Sequence, residues 1–222
     1  MNYGLVAGIN RNIQFDTNRK LLGLQEHGFA SNWTAISYEN LAYYHLFDSD
    51  YVITAIAIKP TTSTIALGRV GTHGGQYTGD ILQSGTATIE YALYSSDAND
   101  IHGIPSYGLV TYNANQEVVF NSDIHYLKIV DIIDVNRSRL LNWESVTIEH
   151  DVENPFYIIP NNQAHTPYMG WPWSRFLSLG IQKINATSAK ISWFPFIAHP
   201  NAPTSTERFA VPTPFRIAIC VL

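Results

Sequence analysis

Two stretches decide how this chain is read: NYGLVAGINRNIQFDTNRKLLGL at residues 2–24 and SYGLVTYNANQEVVFNSDIHYLKI at residues 106–129. Tyr3, Gly4, Leu5 and Val6 of the first match Tyr107, Gly108, Leu109 and Val110 of the second. After a one-residue insertion Asn10 falls on Asn115, Phe15 on Phe120, Asp16-Thr17 on Asn121-Ser122 and Leu22 on Leu127. Each copy spells a hairpin: a strand opening with YGLV, an Asn turn where positive φ is cheap, and an alternating return strand ending at Phe. The polar pair after each Phe turns the chain again. Self-similarity at one long offset is the mark of a duplicated unit.

Working outward, short runs rich in β-branched and aromatic residues fill the rest. They are YVITAIAI (51–58), TIALGRV (64–70), ATIEYALY (87–94), EVVF (117–120), HYLKIVDIIDV (125–135), SVTIEH (145–150), FYIIP (156–160), AKISWFPFI (189–197) and FRIAICVL (215–222). Gly, Pro, Asn and Ser clusters separate them at intervals that suit antiparallel sheets. The best helix candidate, YENLAYYHLF at 38–47, is aromatic enough to be a strand. The fold expected is all-β: two tandem, related antiparallel β-sandwich domains at 1–102 and 103–222, joined by the polar SSDANDIHGIPS of 95–106. The alternative, that YGLV recurs within one larger sandwich, stays open.

The chain has 222 residues, 45% hydrophobic, 13% aromatic and only 14% charged, with net charge -5. Charged residues make up roughly 25% of an ordinary soluble domain, so much of this surface is uncharged. With no basic block, phosphate-tracking nucleic-acid binding is excluded. No run approaches a membrane span, and MNYGLVAGINRNIQF lacks a basic region followed by a long apolar stretch, so neither membrane insertion nor a secretory leader is expected. Cys220 alone makes no internal disulfide.

The paired pattern, YGLV then Asn then F-(D/N)-(T/S) and a Leu, resembles small all-β proteins encoded in the tail-tip or tail-fibre region of tailed bacteriophages. Those proteins place Gly after the turn Asn, whereas Arg11 and Gln116 follow it here, which argues against a type I′ turn but not against the hairpin. The resemblance implies a non-enzymatic structural component of a virion, assembled in the host cytoplasm, in the tail tip, baseplate or fibre attachment region, and supplies no catalytic residues. A surface poor in Lys and rich in Tyr agrees with burial between subunits. The partners implied are other virion proteins and further copies of the chain in a ring or trimer, and a host cell-surface glycan if the protein also serves in attachment. A capsid decoration protein would select a similar surface.

HTPYMGWPWSRF at 165–176 gathers Tyr168, Met169, Trp171, Trp173 and Phe176 around Gly170 and Pro172. Such a loop suits either a sugar platform, making the chain a carbohydrate-binding module, or an anchor in a neighbouring subunit, or else a plug for the end of a sandwich. Eight histidines show no metal-ligand spacing, and GTHGGQYTGD lacks the Lys-Ser/Thr of a phosphate loop, so no metal and no cofactor are expected. Asp97, Asn99, Asp100, Asp48 and Asp50 lack the spacing of a calcium loop and read as turn residues. Glu144, Glu149, Asp151 and Glu153 read as solvated edges rather than a glycosidase pair.

Overall fold

The computed structural model describes residues 6–9, 12–16, 21–36, 41–49, 52–73, 76–97, 108–113, 115–160, 163–167, 174–199 and 208–222. Strands dominate, and every strand pair is antiparallel. The first half carries β1 (Val6–Ile9), β2 (Asn12–Asp16), β3 (Gly23–Ala30), β4 (Thr34–Ile36), β5 (Leu41–Ser49), β6 (Ala55–Lys59), β7 (Ala66–His73), β8 (Gln76–Ser84) and β9 (Ile89–Ser95). The second carries β10 (Val110–Tyr112), β11 (Val118–Asn121), β12 (Lys128–Asp134), a short helix α1 (Arg137–Leu141), β13 (Val146–Glu149), β14 (Phe156–Ile158), β15 (Gln163–Pro167), β16 (Ser174–Asn185), β17 (Ser188–His199), β18 (Arg208–Ala210) and β19 (Arg216–Val221). The aromatic stretch at 38–47 enters a strand, β5, and GTHGGQYTGD is no free loop: His73 pairs with Gln76 across the tip of the β7–β8 hairpin.

The repeated motif forms the same hairpin twice. In β1–β2, Val6 opposes Asp16 and Ala7 opposes Phe15 before the register slips. In β10–β11, Val110 opposes Asn121 and Thr111 opposes Phe120 before the same slip. Gly108 has φ +129, which accounts for the Gly of YGL in the second copy. The expectation of positive φ at Asn115 is corrected. Asn113 Oδ1 accepts from the backbone N–H of both Asn115 and Glu117, and the left-handed step passes to Gln116 at φ 66. Asn121 and Ser122 turn the chain as expected, with Asp123 N–H donating to Asn121 Oδ1.

A six-stranded sheet runs β12-β19-β14-β6-β9-β3, and a nine-stranded sheet runs β13-β17-β16-β7-β8-β5-β4, with β15 and β18 added beside β16. Within the first half the orders β3-β9-β6 and β5-β8-β7 are those of a jelly roll lacking its two innermost strands. The second half repeats them as β12-β19-β14 and β13-β17-β16. Even the bulges coincide: Leu24 opposes Tyr94 and Glu26 opposes Leu93, while Ile129 opposes Cys220 and Asp131 opposes Ile219.

The halves are not separated, however. β6 pairs with β14 at Ile58 and Tyr157, and β7 pairs with β16 at Ala66 and Ile181, so both sheets cross the 102/103 boundary. A third junction joins the matched leucines: Leu127 N–H donates to Leu22 O at 2.8 Å, and Leu24 N–H to His125 O at 2.6 Å. Antiparallel pairing of equivalent strands relates the halves by an approximate internal twofold. Each half fills the edge that the other lacks, because an unpaired strand edge at the centre of a core would leave backbone groups unsatisfied.

One principal core draws on both large sheets and both halves. Ile56, Ile58, Tyr91, Ile217 and Ile219 from the six-stranded sheet meet Leu67, Ile81, Ile181, Ile191 and Phe194 from the nine-stranded one. Each such side chain contributes about 1.5–3 kcal/mol by leaving water. A second cluster, Ala55, Ala57, Ala92, Tyr94, Phe156 and Cys220, lies under Leu22, Leu24 and Leu127. Glycines allow close approach at the seam and between the sheets. A Cβ on Gly180 would sit 2.6 Å from Phe194 Cε1 and 2.8 Å from Ala66 O, and one on Gly68 would sit 2.7 Å from Ile56 Cγ2.

Candidate functional site

Of the residues singled out at 165–176, Tyr168, Met169, Trp171 and Trp173 lie outside the described residues. The ends of that segment are strands, with Pro167 of β15 opposite Ser174 of β16 and Phe176 between His165 and Ile197. Of the hairpin motif, Tyr3, Gly4, Leu5, Asn10 and Tyr107 also lie outside. Phe15 is in β2, Leu109 is exposed and Phe120 stacks on Tyr126 with ring centroids 5.3 Å apart.

Three surface constellations stand out among the described residues. The first is the edge strand β12. Among the described residues β19 is its one strand partner, which leaves its other flank unpaired there, and every residue in it except Ile133 is exposed. Ile129 is 48% and Ile132 55% exposed, with Val130 and the terminal Leu222 also exposed nearby. Proteins usually blunt such edges. Here Lys128, Asp131 and the bulge do so in part, yet they leave the apolar side chains uncovered.

The second constellation lies at the opposite edge of the same sheet. Glu90 Oε1 meets His27 Nε2 at 3.0 Å and Glu90 Oε2 meets Lys59 Nζ at 2.9 Å. Lys59 also stands 5.3 Å above the centre of the Phe156 ring. Partial burial pushes the Glu90 carboxyl up, but the hydrogen bonds from Lys59 and His27 outweigh it and hold the pKa below its ordinary 4.5. Beside this cluster Phe29 is 61% exposed.

The third is the turn after α1. Asn136 caps the helix, its Oδ1 accepting from Arg139 N–H. Trp143 follows the helix in the left-handed region at φ 64, where Gly or Asn is usual. Its ring lies 5.3 Å and 53° from that of Trp193, whose Nε1–H donates to Leu140 O at 2.7 Å. Arg139 Nε donates to Glu144 Oε2 at 2.8 Å in the same turn. In the sequence Trp193 stands out only as part of the strand run AKISWFPFI, and Trp143 carries no motif. The signal available was Asn136 as a cap and Asn142-Trp143 at the end of RSRLL.

Several buried polar groups are bonded within the fold. His150 Nε2 and the Tyr157 hydroxyl share a hydrogen bond, and His150 Nδ1–H donates to Val152 O at 2.7 Å, which orients the imidazole beneath the seam. Burial raises the Tyr157 and Tyr91 phenols well above their ordinary value, for Tyr91 with help from the Glu26 carboxylate it donates to. Asp97 accepts from Val52 N–H and so holds a turn. No group of three or more His, Cys, Asp or Glu placed to hold a metal occurs among the described residues. No helix among them is long and apolar enough to cross a membrane. Comparison with protein families, with curated proteins and with solved structures found no match.

Proposed function

We propose that this protein is a non-enzymatic structural subunit of a tailed-phage virion, placed in the tail tip, baseplate or fibre attachment region and acting through subunit assembly. One observation carries the assembly part of the reading: β12 presents Ile129, Val130 and Ile132 to solvent along a sheet edge unpaired among the described residues. Such an edge is a template for pairing with another chain, and Ile side chains on it gain burial when it is covered. A second copy of the chain, in a ring or trimer, or another virion protein would cover it. The low charge and Tyr-rich composition support the same reading, as does the duplicated hairpin that resembles phage tail proteins.

The test has two arms. Light scattering on the purified chain at tens of micromolar is expected to give a multiple of 24.9 kDa, and Ile132→Glu is expected to return it to the monomer without loss of fold. Antibody labelling of intact particles is expected to mark the tail. A wild-type monomer at all concentrations together with unlabelled particles would overturn the reading.

A further inference from the structure

We infer that the outer face of the β12–β19 pair is a twofold contact between two copies of this chain, with the axis running along the strands between β12 and β19. The inference rests on the assembly reading above and names its partner and geometry. Directly opposed residues of an antiparallel pair share a face, and alternate residues return to it. Ile132 opposite Ala218 and Asp134 opposite Arg216 are therefore two successive rows of one face. That face points away from the principal core, since Ile217 and Ile219 are buried in that core while Ala218 packs against the second cluster. In each row the two strands supply complementary members: a large apolar side chain beside a small one, then an acid beside a base. A twofold axis between the strands exchanges the two columns. It sets Ile132 of one copy over Ala218 of the other, and Asp134 over Arg216, each contact made twice. Ile132 is 55% exposed, and the Asp134 and Arg216 side chains are 69% and 58% exposed, which leaves these rows open to a neighbour.

Charge selects a second copy as the occupant. The charged residues of β12 and β19 are Lys128, Asp131, Asp134 and Arg216, which cancel, on a chain of net charge -5. Two copies can meet here without the repulsion that their net charge imposes elsewhere. A partner with a uniformly acidic or basic surface would instead leave Asp134 or Arg216 facing its own sign. Side chains make the contact rather than strand addition, because Ile132 N–H already donates to Asp131 Oδ1 at 2.8 Å beside the bulge. The matched rows of the first half, His27 beside Ala92 and Phe29 beside Glu90, lack this self-complementarity. The same operation there would set the Glu90 carboxylate against the face of the Phe29 ring, whose quadrupole repels it.

The test compares full-length chains by analytical ultracentrifugation at tens of micromolar. Wild type is expected at an even multiple of 24.9 kDa. Asp134→Arg and Arg216→Asp each set like charges across the axis, and each alone is expected to halve that mass and weaken association about tenfold or more. Each loses only an exposed ion pair and so keeps its fold, which circular dichroism checks. An equimolar mixture of the two variants restores opposite charges across the axis, though within neither chain, and is expected to recover the wild-type mass. Association that survives both single variants, an odd multiple of the chain mass, or a mixture that stays dissociated would overturn the twofold contact while leaving assembly through another surface intact. A wild-type monomer would overturn the contact as well, and labelling of intact particles then decides the assembly reading separately.

Discussion

The two halves of the sheet system share a backbone plan and differ in what they show to solvent. At matched positions, Tyr94 opposite Leu24 becomes Cys220 opposite Ile129, and both stay buried in the same small cluster. Further along that face, toward the sheet edge, the chemistry changes outright. His27 beside Ala92 becomes Ile132 beside Ala218, and Phe29 beside Glu90 becomes Asp134 beside Arg216. At the seam, Ile56 opposite Leu93 becomes Tyr157 opposite Ile219, which brings in the buried bond to His150. Register and bulges are constrained by packing, since a one-residue slip would turn every core side chain outward. Surface positions carry no such constraint, so one edge became a charged and aromatic cluster and the other an apolar one.

The largest expected effect comes from breaking the joint between the halves. Gly180→Ala places a methyl group against Ala66 O, a backbone atom of the other half that cannot swing aside, and against Phe194. A loss of about 3 kcal/mol is expected from denaturant unfolding. A smaller effect separates the two edges by acid. Glu90 titrates below 4.5 when folded, so its contribution is complete above about 4.5 and disappears as pH falls through the folded value. Glu90→Gln should therefore be less stable than wild type at pH 7, by under about 1 kcal/mol for a pair this near the surface, with the two curves converging in acid. At the matched pair of the second half the carboxylate is instead the more exposed Asp134, whose Oδ1 accepts from Arg216 Nε at 2.7 Å. The smallest effect concerns Cys220. Burial pushes its thiol up to about 12, and burial likewise holds its counterpart Tyr94 at about 12. A thiol reagent at neutral pH should modify Cys220 only as fast as the chain opens.

Much of this plan is legible in the residues. Alternation in ATIEYALY and FRIAICVL marks β9 and β19, and the YGLV repeat fixes the hairpins and the matched leucines. What sequence could not give is the way the halves meet. A seam such as Ile58 against Tyr157 depends on two edges finding each other across a hundred residues, and no local periodicity encodes that. The helix α1 escaped notice because five residues leave no hydrophobic period to read. Strands such as β8 (QYTGDILQS) and β16 (SRFLSLGIQKIN) are interrupted by Gly and polar residues, of which Gly180 is required by packing at the seam.

The joined sheets can be tested by cutting the chain. Residues 1–102 and 103–222, produced separately and followed by circular dichroism and heat, should each fail to fold, because each leaves two strand edges and half a core open to water. Mixed together, they should recover the strand signal and a single melting transition. Two fragments that each fold and melt cooperatively on their own would contradict the shared core.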